Sequence, residues 1–286
     1  MQGVDPSPGA PLVLEAGGDE NKGGFLTGDK AFPNFIGFVS NPSLAIDPRS
    51  LTQMYPVYDH VSMSAIRPFP SGTIDAAGPG LNIALTERLN FGITKGAYVW
   101  TDFRKTREGW LDLGGYVQYT VIRDVQNQFL ATAGLGWTAP SGASALFQGS
   151  PPAYLNPYVT FGKEFGEFHV LSTTGFNFPA GSGTATTQLF YGNVHLDRRC
   201  FGWLYPLVEF NWGVHTTNVN LDLPFRHDFF DLDSFTANGN IITVAPGLNA
   251  VLIKDKLEVG AVYQTPMASQ NNVHFNAFLV KVLLRY

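Results

Sequence analysis

Residues Val273–Tyr286 read VHFNAFLVKVLLRY. Counting back from Tyr286 in steps of two meets Leu284, Val282, Val280 and Phe278, an unbroken apolar face, while Lys281 and Arg285 fall on the opposite one. A side-chain period of two is that of a β-strand, whose successive residues point to opposite faces of a sheet. One face of this strand is fit for an apolar surrounding and the other carries charge, so its partners upstream are expected to be two-faced in the same way.

Composition bounds where such strands can live. Hydrophobic residues make up 44% of the 286 and charged residues only 14%, low for a soluble protein. No stretch approaches the roughly 18 uninterrupted apolar residues of a membrane helix. Apolar residues dispersed at every second position reconcile the two facts. The 31 glycines and the 14% aromatic content fit tight turns and interfacial rings. A net charge of -5 leaves no basic stripe to neutralise phosphates, which argues against a nucleic-acid partner. Cys200 is the single cysteine, so neither a disulfide framework nor a thiolate metal site is expected, nor any cofactor. Met1-Gln2-Gly3-Val4-Asp5 lacks the basic start and apolar core of a secretory signal.

Residues 1–32 are treated as a disordered lead-in, because their Gly, Asp, Glu and Pro content offers little apolar surface to offset ordering entropy; a periplasmic plug is the alternative. The run from Ala31 to Ser50 is apolar but cut by Pro33, Pro42 and Pro48, and is expected to cap or enter the mouth of the domain that spans 33–286. From Leu51 onward about twelve strand candidates alternate with turn chemistry: 51–65, 79–87, 91–103, 110–122, 127–138, 153–164, 167–178, 186–197, 203–215, 240–252, 256–265 and 273–286. Their connections alternate in length. Residues 88–90, 124–126, 165–166, 198–202 and 254–255 are tight, whereas 66–78, 104–109, 139–152, 179–185, 216–239 and 266–272 are longer. Short turns on one side and longer loops on the other define an all-β, antiparallel transmembrane β-barrel of the outer membrane, with both termini on the periplasmic side. A soluble β-sandwich gives no reason for that alternation.

Three short segments add a resemblance. Ser40-Asn41-Pro42, the run Asp47-Pro48-Arg49-Ser50-Leu51-Thr52, and Gly202-Trp203-Leu204-Tyr205-Pro206 resemble segments of a family of bacterial outer-membrane transporter-like barrels. More loosely, the chain is similar to channels associated with degradation of phenol and other aromatics. The closing strand also resembles those of outer-membrane barrels, in which the terminal aromatic and the alternate apolar residues before it are read by the assembly machinery. The resemblance implies a channel for passive passage of small solutes, hydrophobic or aromatic ones among them, with outer-membrane lipid as surroundings. A structural barrel without transport is the second reading.

With the apolar face outward, lipid meets Phe129, Ala131, Ala133, Leu135 and Trp137, then Phe168, Val170 and Phe176, then Leu204, Val208, Phe210 and Trp212, then Leu257, Val259, Ala261 and Tyr263. The lumen then receives Asp112, Gln118, Thr132, Asn156, Thr160, Glu164, His169, Asn193, His195, Glu209, Asn211, Asn249, Glu258, Lys281 and Arg285 as candidates for contact with solute. Turn lengths place Asn193 opposite Glu209 with His195 diagonal to it, and Glu258 opposite Lys281. Lys95 breaks the alternation. If Phe91 and Ile93 face lipid so does Lys95, at a cost of about 2–4 kcal/mol at mid-bilayer, so a bulge near Gly92 or Thr94 is expected to turn Lys95 inward and Tyr98 and Trp100 outward.

A third reading is enzymatic. His60-Val61-Ser62 resembles the His-x-Ser of the outer-membrane phospholipase and the lipid A deacylase, where the histidine activates the serine. Met63-Ser64 replaces the phospholipase's following Asn-Gly, and the sequence names no partner for His60, so no catalytic residues are assigned. Asp228, Asp231 and Asp233 lack the loop glycine and spacing of a calcium site, so no metal is assigned either. Phe225, Phe229, Phe230 and Phe235 in the longest loop are expected to fold over the mouth.

Overall fold

The computed structural model describes residues 25–65, 71–102, 107–146, 148–149, 152–181, 188–216, 240–269 and 274–286. The long loop with its phenylalanines and aspartates therefore lies outside the described residues. Fourteen strand segments run in order as β1 (Gln53–Met63), β2 (Gly72–Ala84), β3 (Leu89–Lys95), β4 (Tyr98–Thr101), β5 (Arg107–Trp110), β6 (Leu113–Asp124), β7 (Phe129–Ala139), β8 (Ala153–Phe165), β9 (Phe168–Ala180), β10 (Leu189–Arg198), β11 (Leu204–His215), β12 (Ile241–Ile253), β13 (Leu257–Ser269) and β14 (Phe275–Arg285). All pair antiparallel, and β1 closes the sheet by pairing with both β14 and β2. β3 and β4 both pair with β2 and are two halves of one crossing, as β5 and β6 are of the next. Fourteen segments thus make a closed barrel of twelve crossings.

Pairing of β1 with both β14 and β2 closes the wall, and closure is what lets strands in lipid satisfy their backbone groups without water. The tight connections require particular backbones. Phe165 pairs with Phe168 across Gly166-Glu167, and Gly166 takes φ 66°, a conformation that costs glycine little. Outside the bilayer, the hydrogen-bonded Arg199 guanidinium holds the Glu167 carboxyl below the usual carboxylate range.

The expected faces hold. Leu135, Trp137, Phe168, Tyr263 and Phe278 are exposed on the outer surface, while Gln118, Thr132, Thr160, Asn193 and Glu209 are buried within. The register between β3 and β6 shifts between Ile93 and Lys95; Lys95 is buried, Trp100 is exposed, and the bulge falls where the charge demanded it. β2 begins at Gly72 rather than near 79, because Gly-Thr-Ile-Asp-Ala-Ala-Gly-Pro-Gly reads as loop although closure by β1 and β4 on either side keeps it extended.

Two registers differ from expectation by two residues. Asn193 pairs with Asn211 and His195 directly with Glu209, because Cys200 and Leu204 exchange backbone hydrogen bonds and centre the turn on Gly202, further along the chain than a turn over 198–202. Lys281 pairs with Gly260, not Glu258, because β13 continues through Pro266 to Ser269. The proline is tolerated there at a register shift in β12 between Ile242 and Thr243. Glu258 meets Arg285 instead, with Nη1 and Oε1 2.5 Å apart and both side chains buried. A double-mutant cycle on Glu258→Gln and Arg285→Met should give a coupling of about 0.5–3 kcal/mol in unfolding free energy. Glu258→Gln combined with Lys281→Met should be nearly additive, and the reverse ranking would refute this register.

Candidate functional site

The lumen is occupied by the chain's own N-terminal part. Residues 25–52 start from an exposed Phe25 and from Gly28 on run largely buried inside the barrel, without regular secondary structure, in keeping with their three prolines. Phe32, Phe35, Phe38 and Ala45 pack with Leu130 and Leu171 of the wall, Leu44 with Leu189 and Tyr191, and Ile46 with Tyr116 and Tyr158. A buried segment with no sheet or helix must satisfy its peptide groups some other way, and here the inward side chains of the strands do it. Gln118 donates to the Asp47 carbonyl at 2.9 Å, Thr132 to that of Pro48 at 2.7 Å, Lys281 to that of Phe38 at 2.7 Å, and both Thr160 and Thr173 to that of Ile46. Asn41 donates to Asn193 at 2.6 Å, and Asn211 to the Ser40 hydroxyl at 2.9 Å. Inside the plug, Arg49 forks onto Asp47 through Nε and Nη2 at 3.0 and 2.6 Å and caps the Phe35 carbonyl.

At one side of the lumen a chain of ionisable groups, buried from His169 onward, climbs from the periplasmic end. The Glu164 carboxylate takes the Asn34 amide and stands 3.9 Å from His169 Nε2. His169 Nδ1 lies 2.6 Å from Asp197, Asp197 lies 2.9 Å from His195 Nε2, and His195 Nδ1 lies 2.6 Å from Glu209. Glu209 ends the chain by accepting the Val39 and Ser40 amides of the plug at 2.8 and 2.6 Å. Burying such charge is tolerable only when each group is paired and hydrogen-bonded, and the last partner in this series is the plug backbone.

A second feature recurs around the wall. Tyr55 pairs with Gly80, Tyr116 with Gly92, Tyr158 with Gly134 and Tyr191 with Gly175, and each ring lies where the glycine's Cβ would be. The missing side chain lets the ring lie flat against the wall, so the lumen is faced with aromatic surface at four places. Tyr158 and Tyr191 turn their hydroxyls to Gln118 and Asn156, and Lys281 stands over the Tyr55 ring at 4.6 Å.

Of the residues expected in the lumen, Gln118, Glu164, Asn193, Glu209, Asn211 and Lys281 touch the plug directly. His169 and His195 are joined through Asp197, Asn156 supports Tyr191, Glu258 and Arg285 pair near the periplasmic end, and Asn249 is buried between Tyr205 and Gly260 in the register. Asp112 stands apart. It sits between β5 and β6 and accepts the amides of Ser141, Gly142 and Gly149, organising the loop after β7. Sequence reasoning missed Asp197 and the four tyrosines; the signal was a glycine opposite each ring, visible only once strands are paired. Beside the plug, a cavity of about 30 Å³ lined by Ser43, Thr94, Lys95 and Tyr116 has room for little more than water.

A closed twelve-crossing barrel with apolar exterior, polar lumen and an internal segment has the architecture of an outer-membrane-type β-barrel. The fold is similar to that of the COG4313 outer membrane channel from Pseudomonas putida F1, at 12% identity and TM-score 0.57 over 85% of this chain and 98% of that one. It is also similar to the NanC porin, at 8% identity and TM-score 0.52 over 81% of this chain and all of the other. No family model and no curated protein matches the sequence.

Proposed function

We propose that this chain is an outer-membrane channel for passive passage of small solutes, closed at rest by residues 25–52. The observation that carries the reading is the way the plug is held. Its contacts with the wall are side-chain hydrogen bonds and apolar packing up to Thr52, whose carbonyl accepts the Tyr286 amide, and the strands of the wall pair with one another without it. A segment so held can move without opening the barrel. Hydrophobic or aromatic solutes suit the flat faces of Tyr55, Tyr116, Tyr158 and Tyr191, which supply stacking surface along the path. The side chains that release the plug's carbonyls, Gln118, Lys281 and Thr160 among them, then become the polar contacts of the solute. The terminal strand, with exposed Tyr286, serves as the signal to the assembly machinery.

The test is a reversible tether. Ser40 and Asn211 are in side-chain contact at 2.9 Å, so Ser40→Cys with Asn211→Cys, in a Cys200→Ser background, should form a disulfide between plug and wall. Liposome swelling with small aromatic acids or alcohols should be abolished in the oxidised protein and restored by reductant. Equal flux in both states would exclude passage by plug displacement.

A further inference from the structure

Thr132 of β7, Thr160 of β8, Thr173 of β9, Asn193 of β10, Asn211 of β11 and Thr243 of β12 are register partners in turn, each opposite the next around the wall. All six are buried on the lumen side, and none carries a charge. Thr132 lies close to the periplasmic turn before β7 and Thr243 close to the outer start of β12. Barrel strands tilt, so a line of register partners climbs the wall instead of circling it. These residues form an uncharged track from near the periplasmic end to near the outer one.

The plug follows the track in order: Pro48 meets Thr132, Ile46 meets Thr160 and Thr173, Asn41 meets Asn193, and Ser40 meets Asn211. Between Phe38 and Pro48 the wall holds mainly main-chain atoms. Threonine hydroxyls donate to the carbonyls of Ile46 and Pro48, Gln118 to that of Asp47 and Lys281 to that of Phe38, while Glu209 accepts the adjacent amides of Val39 and Ser40. Side chains fill separate recesses: Ile46 packs with Tyr116 and Tyr158, and Phe38 meets the His195 ring edge-on at 5.7 Å. Main-chain bonds give affinity for any extended peptide and recesses give selectivity, the division of labour of strand-adding peptide sites. Two atoms of the track are unused. Asn193 Nδ2 and Asn211 Oδ1 are buried with no hydrogen-bond partner among the described residues, and they are a donor and an acceptor on directly paired residues. The carbonyl and N–H of a passing main chain would satisfy both. The plug turns there, with the Ala45 amide on the Asn41 carbonyl at 2.8 Å, and offers the track side chains instead.

We propose that this track is a binding site for extended peptides with apolar or aromatic side chains, and that residues 38–48 are its built-in occupant. The inference rests on the channel reading in one respect, that the plug can leave its seat. It goes further in naming the ligand: a chain whose carbonyls meet Thr132, Thr160, Thr173 and Gln118, whose adjacent amides meet Glu209, and whose side chains enter the recesses of Ile46 and Phe38. The plug competes with it at the high effective concentration that a covalent tether gives, so a weakened plug admits more of it.

The experiment uses the full chain in phospholipid vesicles and the acetylated, amidated peptide FVSNPSLAIDP, the sequence of residues 38–48, with photo-leucine in place of its isoleucine. After illumination, adducts are mapped by mass spectrometry. They should fall on β6 and β8 beside Tyr116 and Tyr158, and should increase severalfold in Phe38→Ala, which weakens the plug and leaves the wall intact. Asn41→Ala is the second such variant should the first not fold, with heat-modifiable mobility as the control. A peptide N-methylated at its valine and serine keeps every side chain but loses the two N–H groups for Glu209. Its labelling should fall by at least about tenfold, the loss expected from even one hydrogen bond to a charged group. The proposal is overturned if the peptide leaves β6 and β8 unlabelled in folded plug variants, or if the N-methylated peptide labels them equally. Labelled strands in a protein that lets no solute through would sink the channel reading alone; plug-dependent passage of aromatic acids with unlabelled strands would sink the peptide site alone.

Discussion

Removal of residues 1–50 will leave a folded barrel whose single-channel conductance exceeds that of the full chain on the order of tenfold, because twelve strands enclose more than the side-chain-filled interior of eight and less than the water-filled pore of sixteen. The wall does not need the segment for its own pairing: β1 engages β14 from Gln53 to Met63 and β2 along the same length. Gln118, Thr132, Thr160, Lys281 and Glu209, which now serve plug peptide groups, would face water and stay satisfied. The apolar packing around Phe32, Phe35 and Phe38 would be lost, and the variant should unfold at lower temperature in detergent. Bilayer conductance, with heat-modifiable mobility as control, checks the result. An unchanged conductance in folded protein would mean that something other than residues 25–52 blocks the lumen.

The walls were far more legible than their contents. Period-two alternation places most crossings within a few residues, and the cost of a lipid-facing lysine was enough to locate the bulge before Lys95. These are local properties of a strand in a two-phase environment. Registers were harder, since a turn over 198–202 and one over Phe201–Trp203 centre the hairpin at different residues and only the Cys200–Leu204 pairing decides between them, and β13 runs through a proline that local rules would place at its end. Residues 25–52 carry no periodicity because no regular element forms there. Their positions depend on side chains up to about 240 residues away in sequence, Lys281 to Phe38 being separated by 243. The inward tyrosines were illegible for a related reason, as each is recognisable as a lumen face only against its glycine on the neighbouring strand.

The buried series His169–Asp197–His195–Glu209 gives the largest single-residue effect. Glu209→Gln should destabilise the folded protein by about 3–5 kcal/mol, the usual loss when one partner of a buried charged pair is removed. Three donors converge on this carboxylate: the Val39 amide and His195 Nδ1 on Oε1, and the Ser40 amide on Oε2. A glutamine has one oxygen to offer, so its NH₂ group must confront at least one of these N–H groups, and the side chain is fully buried. Both ring nitrogens of His195 lie within hydrogen-bond distance of a carboxylate, an arrangement that only the doubly protonated ring fulfils; neutralising Glu209 takes away one of its two counter-charges. Glu164→Gln is the internal comparison. Its carboxylate is partly exposed at the periplasmic end and bonded to Asn34, which a glutamine oxygen can also accept, so the change should stay within about 1 kcal/mol. Because Glu209 holds the plug by two adjacent amides, the Glu209 variant should also show more frequent openings in single-channel records, and the Glu164 variant should not. Unfolding in urea, followed by mobility and circular dichroism in detergent micelles, gives the free energies. Equal losses for the two variants would show that Glu209 is not the anchor of residues 39 and 40.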